Sequence, residues 1–249
     1  MNCRRIPIAL SAILLIGATR AEAQAPARVT AGAIVWTGNT DLKVDSATDW
    51  DGTSRTVEES SKAWNTMGSG TGVRIGYDFP RLFSIYGEGG VVQTTVRSRD
   101  LANSNVVSRG MDTGGFYGAG LRVGADMKGS PMFWSAGADV RRHWADLHED
   151  PDHFWSYDET NFGANGRIGT RLHSVGAYFG LRVGQLTSDL QQTDRTQLPG
   201  FQVRDTNLKR DEQMDLLLGA QTGAGSYSGF AELAFVGTTT ATAGVSVRF

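Results

Sequence analysis

The chain is short of most things that hold a secreted or soluble protein together. It has one cysteine, Cys3, so no intrachain disulfide and no cysteine metal site can form. It has four lysines against twenty arginines, whereas soluble β proteins usually guard exposed edges with lysine. Mean hydropathy is negative, and no apolar run reaches the ~20 residues that a membrane helix needs. If this chain crosses a membrane, it must do so as a closed barrel. No basic excess exists either, because the formal net charge is −2, and this excludes the electrostatic footprint of nucleic-acid binding.

The longest apolar run, Ile6 to Ala18, follows Arg4 and Arg5 and precedes Ala21-Glu22-Ala23. A charged start, a short apolar run and a small-x-small end predict a secretory signal peptide over residues 1–23, cleaved after Ala23. At 13 residues the run is too short for a spanning helix. Cleavage removes Cys3, Arg4, Arg5, Arg20 and Glu22, leaving a net charge of −4 and no thiol, which suits an oxidising compartment.

What remains is rich in glycine, 32 of 249 residues, about twice the usual share. It is patterned in twos. Ten strand-like segments are expected: Arg28–Thr37, Trp64–Asp78, Leu82–Arg97, Met111–Met127, Met132–Ala145, Asp158–Arg171, Ser174–Leu190, Leu208–Thr222, Ser228–Val236 and Thr238–Phe249. Short turns at Phe79-Pro80-Arg81, Lys128–Pro131, Leu172-His173 and Gly223–Ser226 alternate with long polar connections. The long ones are Gly38–Lys62, Ser98–Gly110, Asp146–Tyr157 and Gln191–Asn207. A fifth connection, after Val236, is very short, so eight strands remain an alternative count. No repeat or linker divides the region, and residues 24–249 are expected to form one domain.

The last dozen residues, TTTATAGVSVRF, alternate apolar with polar and end on Phe249. They resemble the closing strand of bacterial outer-membrane β-barrel proteins, in which a terminal Phe serves as the signal to the barrel-assembly machinery. Long connections on one side and short turns on the other fit the same architecture. The pattern looks like that of small opacity-type or porin-like barrels of Gram-negative cells, and no subfamily motif is matched. The resemblance implies an all-β, closed, antiparallel up-and-down transmembrane barrel in the cell outer membrane. It also implies contact with outer-membrane lipid and lipopolysaccharide, and exposure at the cell surface.

A lipocalin-like soluble barrel would bury its apolar stripe; a membrane barrel shows that stripe to lipid. The polar stripe decides between them. Val73, Ile75 and Tyr77 oppose Gly72, Arg74, Gly76 and Asp78; Phe179, Leu181 and Val183 oppose Gly180, Arg182 and Gly184. Arginine beside glycine suits a crowded lumen, where large side chains need small neighbours. The inward stripe is expected to carry Arg74, Asp78, Glu88, Arg122, Asp126, Asp139, Arg141, Arg167, Arg182, Asp215 and Glu232 as a structural ion network plugging the bore. Trp36, Trp64, Trp144 and Trp155 are expected as one aromatic girdle, and Phe79, Phe83, Phe133, Trp134 and Phe249 as the other.

Chemistry is sparse. The densest titratable cluster is His143, Asp146, His148, Glu149, Asp150, Asp152 and His153, beside the third connection. Asp146-Leu147-His148 and Asp150-Pro151-Asp152 resemble locally the Asp-His and Asp-Asp pairs of omptin-type barrel proteases. In omptins these pairs face each other from separate loops, and here they share one. A Ca²⁺ site is a second reading, but the spacing is not that of an EF-hand. A solvated acidic loop is the plainest. His173-Ser174 falls at a short turn, the wrong side for a lipid A deacylase, and lacks its His-x-Ser spacing. The glycines repeat on strands, outside any phosphate-loop context. No cofactor, catalytic residue or metal site is therefore expected, and no enzyme. The expected function is a plugged barrel with a structural or surface-interaction role through its outer loops, its surface ligand unidentified. A small pore is the alternative, and a rim-located hydrolase ranks third.

Overall fold

The computed structural model describes residues 28–50, 54–57, 62–79, 83–100, 105–150, 152–195, 202–210, 213–224 and 226–249. The expected signal peptide and the Phe79-Pro80-Arg81 turn lie wholly or partly outside them. So do Asp51, Glu58 and Glu59 of the first long connection.

Period-two patterning produces strands throughout. They are β1 (Arg28–Trp50), β2 (Ser54–Val57), β3 (Lys62–Phe79), β4 (Phe83–Asp100), β5 (Val106–Gly110), β6 (Gly114–Asp126) and β7 (Met132–His148). They continue with β8 (His153–Leu172), β9 (Val175–Asp194), β10 (Gln202–Arg210), β11 (Met214–Ala224), β12 (Tyr227–Val236) and β13 (Thr238–Arg248). Ten of them, all except β2, β5 and β10, form a closed antiparallel ring. Closure is made by β1, which pairs with β3 from Arg28↔Asp78 to Leu42↔Trp64 and with β13 from Thr30↔Arg248 to Thr40↔Thr238. The ten-strand count expected from the sequence holds.

The sequence-based strand ends are too short. A barrel strand crosses a bilayer in about 9–11 residues. β12 and β13 are of that length, but β1 has 23 residues and β8 and β9 have 20 each. The excess projects past the ring, at the end opposite the short turns, as an extension. Most of what reads as long loops is this extension. The third connection shrinks to a tight hairpin, with His148 ending β7 and His153 opening β8. The stretch 191–207 supplies the ends of β9 and β10. Above β11–β13, β10 alone spans from β9 to β1, pairing Gln202↔Asp194 on one edge and Leu42↔Arg210 on the other. One strand replaces three there, and the bore narrows.

The short turns set the opposite end. Gly129 has φ 74° in the β6–β7 turn, and His173 takes φ 58° in the two-residue β8–β9 turn. The short link after β12 is strained instead: Val236 sits at φ 108°, disfavoured for a β-branched residue.

Around the ring the outward residues are apolar and exposed, including Val73 at 61% and Phe179 at 62%. In the extension this inverts. The outward positions carry Asp41, Lys43, Arg97, Asp189 and Lys209, and the inward ones are mostly apolar, with Thr66, Ser188 and Thr206 buried among them. Leu42, Trp64, Val96, Met111, Ala145, Trp155, Tyr157, Leu186, Leu190 and Leu208 form one buried core across the bore. The expected outer girdle is corrected accordingly. Trp36, Trp64 and Trp155 point inward, and only Trp144 of the four faces out, 5.8 Å from Tyr117. At the short-turn end Phe79 stacks on Phe83 at 4.4 Å, whereas Phe133 turns into the lumen. Alternation fixes which residues share a face, but not which face a tryptophan takes once the strand leaves the bilayer.

Candidate functional site

The inward stripe of the ring assembles a chain of ion pairs. Glu88 of β4 stands at its centre. Its Oε2 accepts from Arg74 Nε at 2.9 Å and Nη2 at 2.6 Å, and its Oε1 accepts from Arg141 at the same two distances. In each pair two guanidinium N–H groups converge on one carboxylate oxygen, so a single acid serves two arginines through charge-assisted hydrogen bonds. Arg74 lies over the Tyr86 ring, 4.3 Å from its centroid, and Arg141 over Trp36 at 5.3 Å. Arg182 donates to Asp139 at 2.7 Å and to Asn161 at 3.2 Å. Arg167 meets Glu232 at 2.7 Å, and the Tyr178 hydroxyl donates to the same carboxylate at 2.9 Å.

Small neighbours make this crowding feasible. A Cβ on Gly163 would stand 2.4 Å from Arg182 Nε, and one on Gly219 2.3 Å from the Tyr178 ring. At these two positions an added side chain would displace Arg182 or Tyr178 from its place in the network.

Three further members of the expected network, Asp78, Asp126 and Asp215, sit at the two ends of the bore. Asp126 accepts from Arg171 at 3.0 Å, and Asp78 lies 3.8 Å from Arg248, both at the short-turn rim. Asp215, with a fully buried side chain, pairs with Arg210 at 3.0 Å and accepts from Thr238 N–H at 2.9 Å, tying down the β12–β13 link. Arg122 borders two cavities and makes no ion pair with any described residue. Phe249 is 75% exposed, and its N–H donates to Val29.

Sequence reasoning missed part of the lumen. Ile34, Val92 and Phe116 pack together inside the ring, with Trp36 set edge-on to Phe116 at 6.2 Å. Beside them His143 Nδ1 lies 3.5 Å from Glu159, whose other oxygen accepts from the Tyr157 hydroxyl at 2.6 Å. Inward parity with Asp139 and Arg141 was the signal for His143.

The acidic-histidine cluster does not converge. His143 is inside the bore, and Asp146 faces out. His148 is 3.9 Å from Asp112, and Glu149 pairs with Arg109. Asp150 accepts from the backbone N–H of Asp152 and of His153 and lies 2.9 Å from His153 Nδ1. His153 Nε2 is 3.3 Å from Asp194. Its hydrogen bond to Asp150 raises the imidazole pKa, and the same bond lowers that of Asp150. Asp49, which reads as a loop residue, lies on β1 and holds Arg204 through two bonds of 2.6 and 2.8 Å. Among the described residues, no three His, Cys, Asp or Glu side chains are grouped to hold a metal.

No family model matches the chain, and no curated protein does. Solved structures do. The outer membrane protease OmpT from Escherichia coli aligns over 92% of this chain and 99% of its own, with TM-score 0.53 and 10% identity. The β domain of the Bordetella autotransporter BrkA covers 88% of this chain at TM-score 0.42 and 9% identity. The translocator domain of NalP from Neisseria meningitidis covers 97% at TM-score 0.38 and 14% identity. The first of these likenesses, together with the closed ring and its apolar outer belt, shows the fold: this chain is built as an outer-membrane β-barrel.

Proposed function

We propose that this protein is a non-conducting barrel of the outer membrane that presents its extension at the cell surface as an interaction platform. One observation carries the reading. The extension is filled by an apolar core from Leu42 to Leu208, closing the bore above a lumen already crossed by ion pairs. A filled eight-strand bore and a water-filled porin of 16–18 strands bracket the possibilities, and ten strands lie near the filled end. The polar outer wall of the extension is then the surface offered to lipopolysaccharide and to partners outside the cell. The barrel-assembly machinery would act at the other end, on Phe249.

Hydrolysis is not part of this reading. His148 lies near one carboxylate, Asp112, and His153 is held between two, Asp150 and Asp194, which occupy both of its ring nitrogens. Replacing Asp146 and His148 by Ala should leave any surface phenotype unchanged, and a peptidase activity lost in either variant would overturn this. The main test is single-channel recording of the refolded mature chain. The expectation is silence or rare, small events. Stable, large steps would establish the small-pore alternative.

A further inference from the structure

Among the described residues the charges of the lumen do not balance. At mid-bore five guanidiniums, Arg74, Arg122, Arg141, Arg167 and Arg182, stand with three carboxylates that pair with arginine, Glu88, Asp139 and Glu232. A fourth acid, Glu159, is engaged by Tyr157 and His143. Four of the five arginines are paired, and Arg122 is left over. Arg122 is half-buried, and a guanidinium in the lumen without a carboxylate of its own favours a counter-charge.

Space for one exists beside it. A cavity of about 650 Å³ opens at the short-turn end of the bore, with Arg74 and Arg122 in its wall. Thr30, Ser84, Ser228 and Ser246 add hydroxyl groups to that wall. The other cations at its mouth are committed: Arg171 to Asp126 and Arg248 to Asp78. The apolar core shuts the opposite end, so the cavity is a cup with one mouth.

We propose that this cup binds a compact oxyanion, a phosphate or carboxylate group, entering from the short-turn side and held by Arg122. A guanidinium presents a planar fork that matches two oxygens of such a group, which a halide cannot use. The wall hydroxyls supply further hydrogen bonds to the same oxygens.

The test uses the refolded mature barrel in detergent, titrated with inorganic phosphate and, separately, with succinate. Chloride at equal ionic strength is the control, and calorimetry and the heat-modifiable gel shift are the readouts. Saturable binding of either anion, with a rise in unfolding temperature that chloride does not produce, supports the proposal. Phosphate alone would mark the source as a phosphorylated solute, and succinate alone a carboxylate one. Arg122→Met should fold, with an unliganded midpoint no lower than that of the parent, and bind at least tenfold more weakly. Lys209→Met, on the outer wall, should bind as the parent does. Should Arg122→Met not fold, Arg122→Lys serves, keeping the charge and losing the fork, and weaker binding is again expected. Absence of saturable binding to the parent, or unchanged binding in whichever Arg122 variant folds, would overturn the proposal.

Discussion

The ring and its extension are built from the same strands and obey opposite rules. In the ring, lipid is the outer solvent, so Val73, Leu121 and Leu181 face out and Glu88, Arg141 and Arg167 face in. In the extension, water is the outer solvent, so Asp41, Lys43 and Asp189 face out and Leu42, Leu186 and Leu190 face in. β9 makes the change within one strand. Its inward side runs Gly176, Tyr178, Gly180, Arg182, Gly184 and then Leu186, Ser188, Leu190. Strand parity is constant along its length; the medium changes. The lesson is that alternation encodes two faces, and the surroundings decide which face must be apolar.

The largest expected effect comes from breaking the ring's interior. Glu88→Leu leaves Arg74 and Arg141 without their shared carboxylate and should cost about 3–5 kcal/mol. Urea titration of refolding into lipid vesicles measures it; a loss under about 1 kcal/mol would mean the pairs are not desolvated.

Leu208→Ala acts on the extension's core and should cost about 2–5 kcal/mol. The loss should be local. Limited proteolysis should cut the extension more readily, while the ring keeps its heat-modifiable migration. Loss of both together would show that ring and extension fold as one unit.

Leu181→Arg places a charge on the apolar belt and should cost about 2–4 kcal/mol in lipid. Asp41→Arg, on the outer wall of the extension, should stay within about 0.5 kcal/mol. Equal effects would erase the contrast between the two outer surfaces.

The smallest effect is a pH dependence confined to the β7–β8 hairpin. The raised pKa of His153 makes its contribution fully present below the unfolded value of 6.5 and lost as pH rises through the folded value. The lowered pKa of Asp150 makes its contribution present above the unfolded value of 3.8 and lost as pH falls further. Amide exchange at this hairpin should therefore be most protected in mildly acidic buffer, and His153→Gln should remove the loss of protection at higher pH. A flat profile in the parent chain would show that the Asp150 and Asp194 contacts are absent in solution.

Much of the ring was legible because its signals are local. The run from Gly72 to Asp78 and the run from Gly176 to Gly184 each show both faces in under ten residues. The ten-strand count and the inward side of Glu88 and Arg141 follow from such runs. The extension was not legible, because its pairing is remote. Asp49 meets Arg204 and Lys43 meets Lys209 only when β10 is laid against β1. A polar strand end with no local partner reads the same as a loop.

By itself, the sequence determined the strand period, the two faces of each ring strand and the residues available for pairing, because these depend on side-chain chemistry two positions apart. Tertiary structure decided which arginine meets which carboxylate and, among the described residues, left Arg122 without one. It also turned Trp36, Trp64 and Trp155 inward and gathered leucines from β1, β9 and β10 into one buried core in the extension. Those outcomes depend on ring closure and strand register, which bring together residues more than a hundred positions apart, and no local pattern carries that information.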